Sequence, residues 1–343
     1  MDHGVVVSVV VPAYNAETTI EACLASLGQQ TLPRKSYEII IADDGSTDQT
    51  ASLATRHDGV RVVCQANAGP AKARNTGAKA AKGQYLVFVD ADCEVADDFL
   101  RAITAPMEAN AEVVGVQGRY RSRQHGLVAR FVQIEVEERY ALMRRREDID
   151  HIGTYAAAFR RQVFLEHGGF DTVFPEASNE DMEFSYRLVA AGHKLRLAPD
   201  AFCHHRHADS LPRYFRAKFR HAYWTAMLYG RHRDKILKDS YRPKSLRFEV
   251  LSLVGLPLVA VFAGLVSRSM APTFLVCLLY LAAFLFAPMI PFTLFALRRD
   301  AAAGLIAPLM ITARSVAGAS GLVVGLLRTG GLSKSKAHRA VPR

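Results

Sequence analysis

The sequence predicts an α/β protein with a doubly wound, mostly parallel sheet, followed by transmembrane helices. Three observations lead to this prediction. Short β-branched segments alternate with helix-compatible segments early in the chain, as in parallel strands joined by crossover helices. Charged residues are frequent up to about residue 245 and nearly vanish over 250–327. The apolar stretches in that second region approach or reach the length that spans a bilayer.

Four strands and three helices are predicted before residue 90. Continuous apolar runs indicate strands buried on both faces of a sheet, and apolar residues three or four apart indicate helices. The predicted strands are 5–11, ended by Pro12, then 37–42, 60–64 and 85–89; the predicted helices are 17–30, one beginning near Thr47, and 71–82. Their alternation predicts a parallel sheet of nucleotide-binding type.

The pattern is less regular after residue 92. It predicts strands at 113–118 and 195–198, helices at 127–146 and 181–191, and a turn at 168–171, with Gly192 ending the second helix. A further amphipathic helix is predicted over 211–238, where aromatic residues recur every fourth position beside arginines. This composition suits a helix lying in a membrane interface, and equally an ordinary helix facing a protein core.

Three apolar segments, roughly 250–267, 273–296 and 302–327, are candidate membrane spans. The third contains Arg314, which costs about 2.5–3.5 kcal/mol at a helix centre on insertion scales. It can insert if Arg314 faces protein or lipid phosphate. Basic residues flank the first two segments and continue in the tail, which conflicts with three full spans. We expect three membrane segments, the third either spanning or bent near Arg314 as a re-entrant hairpin.

Composition and charge favour a membrane-associated protein over a nucleic-acid-binding or secreted one. The formal net charge is +10, and basic clusters beside apolar segments favour an anionic membrane surface over nucleic acid. The five scattered cysteines include no Cys-x-x-Cys pair and fit a reducing compartment. The N-terminal apolar run stops at Pro12 and follows Asp2, unlike a signal peptide. We therefore expect a cytoplasmic globular part attached to the inner or plasma membrane.

Candidate metal ligands follow the strand predicted at 85–89, which ends in Asp90-Ala91-Asp92. This places two carboxylates at the carboxyl edge of the sheet, where open α/β sheets bind ligands. Oxygen ligands there suit Mg²⁺ or Mn²⁺, and such a metal usually bridges to substrate phosphates. The first strand leads into Tyr14 and Asn15 without a Gly-x-Gly-x-x-Gly fingerprint, which disfavours a dehydrogenase.

Five motifs occur in order along the first 200 residues: VVPAYN at 10–15, IADDGSTD at 41–48, NAGPAKARNTG at 67–77, FVDAD at 88–92, and NED at 179–181 with Arg187 and Gly192 beyond it. Over roughly residues 5–210 they resemble the successive motifs of the GT-A-fold, family 2 glycosyltransferases. The resemblance implies a GT-A domain at 1–210, with a nucleotide-sugar half at about 1–110 and an acceptor half at 111–210. An interface helix and linker at 211–245, a membrane region at 246–330 and a basic tail at 331–343 would follow.

The resemblance also implies roles for particular residues. Asp44 matches the acid that hydrogen-bonds the pyrimidine base, and Arg74 matches the arginine that contacts the nucleotide and diphosphate. Asp181 matches the general base, which takes the acceptor hydroxyl proton during in-line attack, with inversion. Glu180 and Arg187 are acceptor-side candidates. The nucleotide-sugar-binding candidates are Pro12, Tyr14, Asn15, Glu17, Asp44, Arg74 and Asp90.

For the metal, Asp92 is the predicted direct ligand, whereas Asp90 lies nearer the ribose or reaches the metal through water. In several GT-A enzymes a histidine after the last strand completes the metal sphere or contacts the diphosphate. Either His205 or His207 is expected to do so here. The run 203–207 lacks the spaced Cys/His pairs of a structural zinc site.

These inferences predict an inverting glycosyltransferase that moves one sugar from a nucleotide-sugar, expected to be a UDP-sugar, with Mg²⁺ or Mn²⁺. The expected acceptor is membrane-associated, such as a polyprenyl-linked saccharide or glycolipid. A processive polysaccharide synthase is the nearest alternative, although 219–224 lacks the Gln-x-x-Arg-Trp motif of that class. A non-catalytic nucleotide-sugar-binding membrane protein is another. The segment 152–156 lacks the asparagine often found there, so acceptor specificity cannot be transferred from the family.

Overall fold

The computed structural model describes residues 4–174, 176, 178–236, 244–267 and 269–329. Two compact units divide them. The first takes in the described residues up to Arg123 together with Met143–Arg206, and the second takes in Gln124–Leu142 and the described residues after Arg206. The basic tail predicted at 331–343 and the linker residues 237–243 lie outside the described residues.

Eight strands and six helices form the first unit. In chain order they are β1 Val7–Ala13, α1 Ile20–Gly28, β2 Tyr37–Asp43, α2 Thr50–Ala54, β3 Val60–Cys64, α3 Pro70–Ala80, β4 Tyr85–Val89, β5 Glu94–Val95, α4 Phe99–Ala109 and β6 Val113–Arg121, then, after α5 Leu127–Met143 of the second unit, β7 Ala156–Arg160, α6 Arg161–Glu166, α7 Glu180–Ala190 and β8 Lys194–His204. One short 3₁₀ turn, Arg34–Ser36, precedes β2.

The strands form one mixed sheet in the order β3-β2-β1-β4-β7-β6-β8-β5. Strands β1 to β4 pair in parallel, as do β6 and β8. Strand β7 is antiparallel to both of its neighbours, and β5 is antiparallel to β8. The sheet thus confirms the predicted α/β class, with two antiparallel strands that were not foreseen.

Of the donor-half strands, β1, β2 and β4 are buried for the reason their sequences suggest, whereas β3 lies at the edge of the sheet and is partly exposed. All five residues of β4 are buried, and β1 is buried apart from the partly exposed Pro12. Helix α3 packs closely on this core because Gly77 has no side chain; a Cβ atom there would clash with Val10. The prediction that Pro12 ends the first strand was wrong, because Pro12 stays in register with Ala42 and the strand continues to Ala13.

The main differences from prediction lie beyond β4. Strand β8 was expected at 195–198 and extends to His204, because its mixed polar and apolar residues conceal its length. The alanine-rich β7 was not predicted, since alanine is depleted in strands. Helices α4 and α6 and the two-residue β5 were also missed. Helix α1 begins at Ile20 rather than residue 17.

The second unit is helical. Besides α5 it contains α8 Leu211–Arg231, a 3₁₀ turn Arg233–Ile236, α9 Lys244–Ser267, α10 Met270–Leu281, α11 Ile290–Arg299 and α12 Ala301–Thr329. A π-helical turn and a 3₁₀ turn join α10 to α11. Three stretches are long and apolar enough to cross a membrane: Ser245–Ser267, Met270–Arg299 and Ala301–Arg328. They match the three segments predicted from the sequence.

The alternative of a re-entrant hairpin at the third segment was wrong, because α12 is one helix without a break at Arg314. Arg314 is buried against protein rather than exposed. Its guanidinium donates to Glu135 of α5 at 2.9 Å and to Glu249 of α9 at 2.8 Å. These bonds satisfy a charge that would otherwise be costly in an apolar helix.

Helix α8 packs tightly against α12 along one face. Cβ atoms at Gly321 and Gly325 would clash with the backbone carbonyls of Phe219 and Tyr223, so the two helices approach at a distance that only glycine permits. Arg216 lies on an exposed part of α8. The helix therefore has a protein-facing side, while its placement in a membrane interface stays a prediction.

Candidate active site

The predicted donor-side residues gather at the carboxyl ends of β1, β2 and β4. Parallel pairing aligns these ends, with Ala13 opposite Asp43, and the Asp44 amide donates to the Ala13 carbonyl at 2.8 Å. Strand β4 delivers Asp90 directly after Val89. The carboxyl edge of this sheet therefore carries acidic residues in one row, as the sequence predicted.

Asn15 and Glu17 fix the loop after β2 rather than project freely. The Asn15 side-chain oxygen accepts from the Thr47 amide at 2.9 Å, and the Glu17 carboxylate accepts from the Gln49 amide at 3.1 Å. Asn15 has a φ of 49°, a left-handed conformation that asparagine tolerates better than most residues. Tyr14, immediately before Asn15, is 52% exposed, which leaves its ring accessible for stacking.

Asp44 holds the loop that precedes α3. Its buried carboxylate accepts from the Gln65 side chain at 2.6 Å and from the amides of Ala68 and Gly69 at 2.9 and 2.8 Å. One oxygen takes two of these bonds and the other takes one. A carboxylate has about four acceptor sites, so capacity remains for a further donor. The predicted contact with a base stays a prediction.

A buried arginine joins the donor side to the acceptor side. Arg74 of α3 is 2% exposed and donates to Asp90 and to Glu180, each at 2.8 Å. Glu180 also accepts from the Ser178 amide at 2.8 Å. Burial alone would lower the pKa of Arg74, but the two carboxylates outweigh it and raise that pKa. Glu180 is thus occupied by Arg74 and by backbone, so it positions the site.

Asp181 follows at the start of α7 and is partly exposed. Its carboxylate accepts from the Met182 amide at 2.7 Å and from the Thr154 amide at 3.4 Å. Desolvation, and then the negative charge of Glu180, raise the pKa of Asp181 to about 8. A carboxyl group with such a pKa is a suitable proton acceptor near neutral pH.

Arg187 anchors the other end of α7. Its side chain donates to Glu183 at 2.9 Å, to the Gly169 carbonyl at 2.6 Å, and to the His167 carbonyl. Gly169 has a φ of 68°, which favours glycine in this turn. The contacts that Arg187 makes are therefore within the protein, and a direct role toward an acceptor stays a prediction.

Of the predicted metal ligands, Asp92 and His205 lie side by side. Asp92 is 42% exposed, and its Oδ2 lies 3.4 Å from Nε2 of His205. Antiparallel pairing of β5 with β8 sets Glu94 opposite His204 and so brings His205 beside Asp92. One ligand atom each from Asp92, Cys93 and His205 lie within 4.8 Å of one another. Carboxylate oxygen and imidazole nitrogen together fit Mn²⁺ better than Mg²⁺, which prefers oxygen ligands.

His207 does not belong to this cluster. It lies in the second unit, and its Nε2 is 2.9 Å from the side-chain oxygen of Gln133. Of the two histidines that the sequence left open, the structure brings only His205 to Asp92.

Sequence reasoning missed an aromatic pair at the site. The rings of Tyr120 and Tyr155 stack edge to face with centroids 4.2 Å apart, and the Tyr120 ring lies 5.3 Å from that of His205. Tyr120 is on β6 and pairs with Cys203 of β8. Only the pairing of distant strands brings these rings together, so local sequence carried no signal for them.

Comparison with known proteins places this geometry in a family. Residues 8–168 match the family model described as glycosyl transferase family 2. The uncharacterized glycosyltransferase EpsJ of Bacillus subtilis is 43% identical over 114 residues, covering 32% of this chain and 33% of that protein. The glycosyltransferase AglE of Haloferax volcanii is 29% identical over 209 residues, covering 58% and 66%. The chain thus spans about a third to just under two thirds of these relatives.

A solved structure shares the fold. The mannosyltransferase PcManGT of Pyrobaculum calidifontis, determined with GDP-Man and Mn²⁺, superposes with a TM-score of 0.60 at 23% identity, over 94% of this chain and 87% of that one. At this identity the likeness concerns the fold. Residues 8–168 therefore form a glycosyltransferase family 2 domain, and the chain has the GT-A fold.

Proposed function

We propose that the chain is an inverting glycosyltransferase that moves one sugar from a UDP-sugar to a membrane-associated acceptor, such as a polyprenyl-linked saccharide or a glycolipid. The observation that carries this proposal is the Arg74 bridge. It ties Asp90, two residues before the metal candidate Asp92, to Glu180, the neighbour of Asp181. A donor-side acid and an acceptor-side base are thereby fixed within one unit.

In the proposed reaction, Asp181 accepts the proton of an acceptor hydroxyl as that oxygen attacks the anomeric carbon in line. The bond to the nucleoside diphosphate breaks and the anomeric configuration inverts. Asp92 and His205 would hold the divalent cation, which neutralises the charge of the departing diphosphate. Arg74 keeps Asp90 oriented beside them through its bond at 2.8 Å.

The donor is proposed from Asp44, which matches the base-contacting acid of the family, and from Tyr14, whose ring can contact a nucleotide. Both residues follow strands that end at one edge of the sheet. The mannosyltransferase with the same fold was solved with GDP-Man and Mn²⁺, which supports a nucleotide-sugar with a divalent metal. Comparing stabilisation by UDP-sugars and by GDP-sugars distinguishes a uridine donor from a guanosine donor.

A membrane-associated acceptor is proposed because the same chain carries three helices of membrane-spanning length. We infer that the first unit works on the cytoplasmic side, where nucleotide-sugars are made. A processive synthase is the second candidate, and the missing Gln-x-x-Arg-Trp motif weighs against it.

Ligand-dependent stabilisation tests the donor and the metal. With Mn²⁺, UDP-sugars are expected to raise the Tm of the purified full chain, because a ligand at 100 times its Kd adds about 2.7 kcal/mol to stability. Asp92→Ala is expected to lose the part of the shift that requires Mn²⁺. Glu94→Ala is the matched control, since this nearby acid is 47% exposed and pairs with Arg123.

Four results would contradict parts of the proposal. Equal Mn²⁺-dependent shifts in both variants would remove Asp92 as the ligand. Stabilisation by GDP-sugars alone would exclude a UDP-sugar donor. Ligand binding without transfer to any lipid acceptor would favour the non-catalytic alternative, whereas long radiolabelled chains would favour the processive one.

Removing the charge of Glu180 is expected to shift the pH dependence of transfer. Glu180 raises the pKa of Asp181, and Arg74 lowers it. In Glu180→Gln the pKa of Asp181 therefore falls, and the rising limb of kcat/KM against pH moves to lower pH. The profile of Glu183→Gln, on the same helix, serves as the control. A limb that moves to higher pH would show that Glu180 does not act on Asp181 in this way.

A further inference from the structure

We propose that Asp92, Cys93 and His205 form a site for a thiophilic divalent cation, Zn²⁺ or a close chemical analogue, and that this cation inhibits the transferase. The binding site stands on the geometry alone, whereas the inhibition rests on the proposed function. The Mn²⁺ or Mg²⁺ expected in this fold uses oxygen and nitrogen ligands. The thiol of Cys93 adds a ligand that those cations do not need.

The three side chains nearly have the spacing that tetrahedral zinc requires. Zn–S bonds of about 2.3 Å and Zn–N or Zn–O bonds of about 2.0–2.2 Å imply ligand atoms about 3.3–3.6 Å apart. Nε2 of His205 is already 3.4 Å from Oδ2 of Asp92. Sγ of Cys93 is 3.9 Å from Oδ1 of Asp92, and all three residues offer ligand atoms within 4.8 Å. The widest separation exceeds the tetrahedral spacing by at most roughly 1 Å, so binding draws the side chains together by that amount.

The backbone around Cys93 is held by the fold. Its amide donates to the Asp90 carbonyl at 3.0 Å, which forms a tight turn after β4. The next residues enter β5, where pairing with β8 fixes the position of His205. Cys93 is fully buried, whereas Asp92 is 42% exposed. A cation can therefore reach the site from the side of Asp92, and the sulfur of Cys93 is shielded from water. Binding needs no rearrangement of the strands.

Ligand chemistry favours zinc over the expected cofactor. Divalent affinity rises from Mn²⁺ to Zn²⁺ at a given site, and thiolate ligands increase the preference for Zn²⁺. On binding, the Cys93 thiol releases its proton to solvent and the sulfur–metal bond forms, with no change of oxidation state. Three protein ligands leave one open position on tetrahedral zinc. That position accepts one phosphate oxygen and does not chelate a diphosphate, so transfer is blocked.

Cobalt(II) is the probe, because it occupies zinc sites and gives an intense near-ultraviolet band when bound to thiolate. The full chain in detergent, without nucleotide, is titrated with Co²⁺ and then with Zn²⁺. We expect a band at one equivalent that Zn²⁺ abolishes. Cys93→Ser should lose the band and bind Zn²⁺ at least ~100-fold more weakly, since losing even an outer-shell partner costs 10–100-fold. Cys64→Ser removes an exposed thiol and should keep the band.

The proposed site is excluded if the band is absent from the wild type, if it persists in Cys93→Ser, or if it disappears in Cys64→Ser. If Cys93→Ser does not fold, X-ray absorption of the zinc-loaded wild type decides, since the proposal requires one sulfur at about 2.3 Å. Inhibition is measured as the ratio of transfer rates with and without Zn²⁺ at fixed Mn²⁺. Equal ratios for wild type and Cys93→Ser overturn the inhibition. A Cys93-dependent band in a protein without transfer activity supports the site and contradicts the proposed function.

Discussion

Asp181→Asn is expected to lower kcat for sugar transfer by about 10²–10⁴-fold, the usual contribution of a positioned general base. Asparagine has nearly the same size, and its single oxygen can still accept from the Met182 amide, so that only the longer bond from the Thr154 amide, at 3.4 Å, is lost. It cannot take a proton from the acceptor hydroxyl. Donor binding should therefore be retained, so that the Tm shift with UDP-sugar and Mn²⁺ stays close to that of the wild type.

The pH dependence gives an independent readout of the same residue. The pKa of Asp181 is raised to about 8, and a base must be unprotonated to act. In the wild type kcat/KM should rise with pH through about 8 and level off above it, and Asp181→Asn should lose this limb. Glu183→Gln, two residues along α7, should keep both the limb and the rate. An Asp181→Asn rate within threefold of wild type would remove Asp181 as the base.

The sequence predicts the donor half of the fold closely because three of its four strands, β1, β2 and β4, are buried on both faces. A strand such as Tyr85–Val89 must then be apolar throughout, so its limits are visible in the chain itself. Strand β7 is buried as well, but its alanines have low strand propensity and short side chains. Packing between neighbouring strands decides its conformation, and such packing is not visible in a local window.

Within the candidate site, some residues are likewise predictable from the local sequence and others depend on the tertiary fold. Asp90 and Asp92 are predicted because they follow a strand whose end defines the binding edge. The choice between His205 and His207 is different, since both lie two residues apart after the last strand. It depends on the pairing of β5 with β8, a two-residue ladder that no periodicity reveals. The bond from Arg74 to Glu180 spans 106 positions and is likewise a product of the tertiary fold.

The role of Arg314 also depends on distant residues. The sequence allows this arginine to face either protein or lipid phosphate. Its partners lie 179 and 65 positions away, on helices α5 and α9. Glu135 accepts from Lys218 as well, at 2.7 Å. Burial alone would raise the pKa of Glu135, but the charges of Lys218, Arg139 and Arg314 outweigh it and hold that pKa well below the usual range.

Arg314→Met is therefore expected to destabilise the second unit by about 3–5 kcal/mol, the cost of removing one partner from a buried ion pair. The loss follows because Glu249 and Glu135, each 1% exposed, would keep buried charge with fewer partners. At about 2–4 °C per kcal/mol, the apparent Tm in detergent should fall by at least ~6 °C. Arg299→Met is the matched control: its pair with Glu137 is 40–42% exposed, so the change should cost about 0–1 kcal/mol.

A compensating variant separates lost charge pairing from lost packing. If an unpaired carboxylate causes the destabilisation, Arg314→Met combined with Glu249→Gln should recover much of the Tm, because neutral replacement of a buried ion pair is often tolerated and Glu135 keeps its bond to Lys218. Ser315, which donates to Glu249 at 2.9 Å, can still donate to the glutamine oxygen. A double variant no more stable than Arg314→Met would show that the arginine acts through its packing. A single variant as stable as Arg299→Met would show that the network contributes little to the second unit.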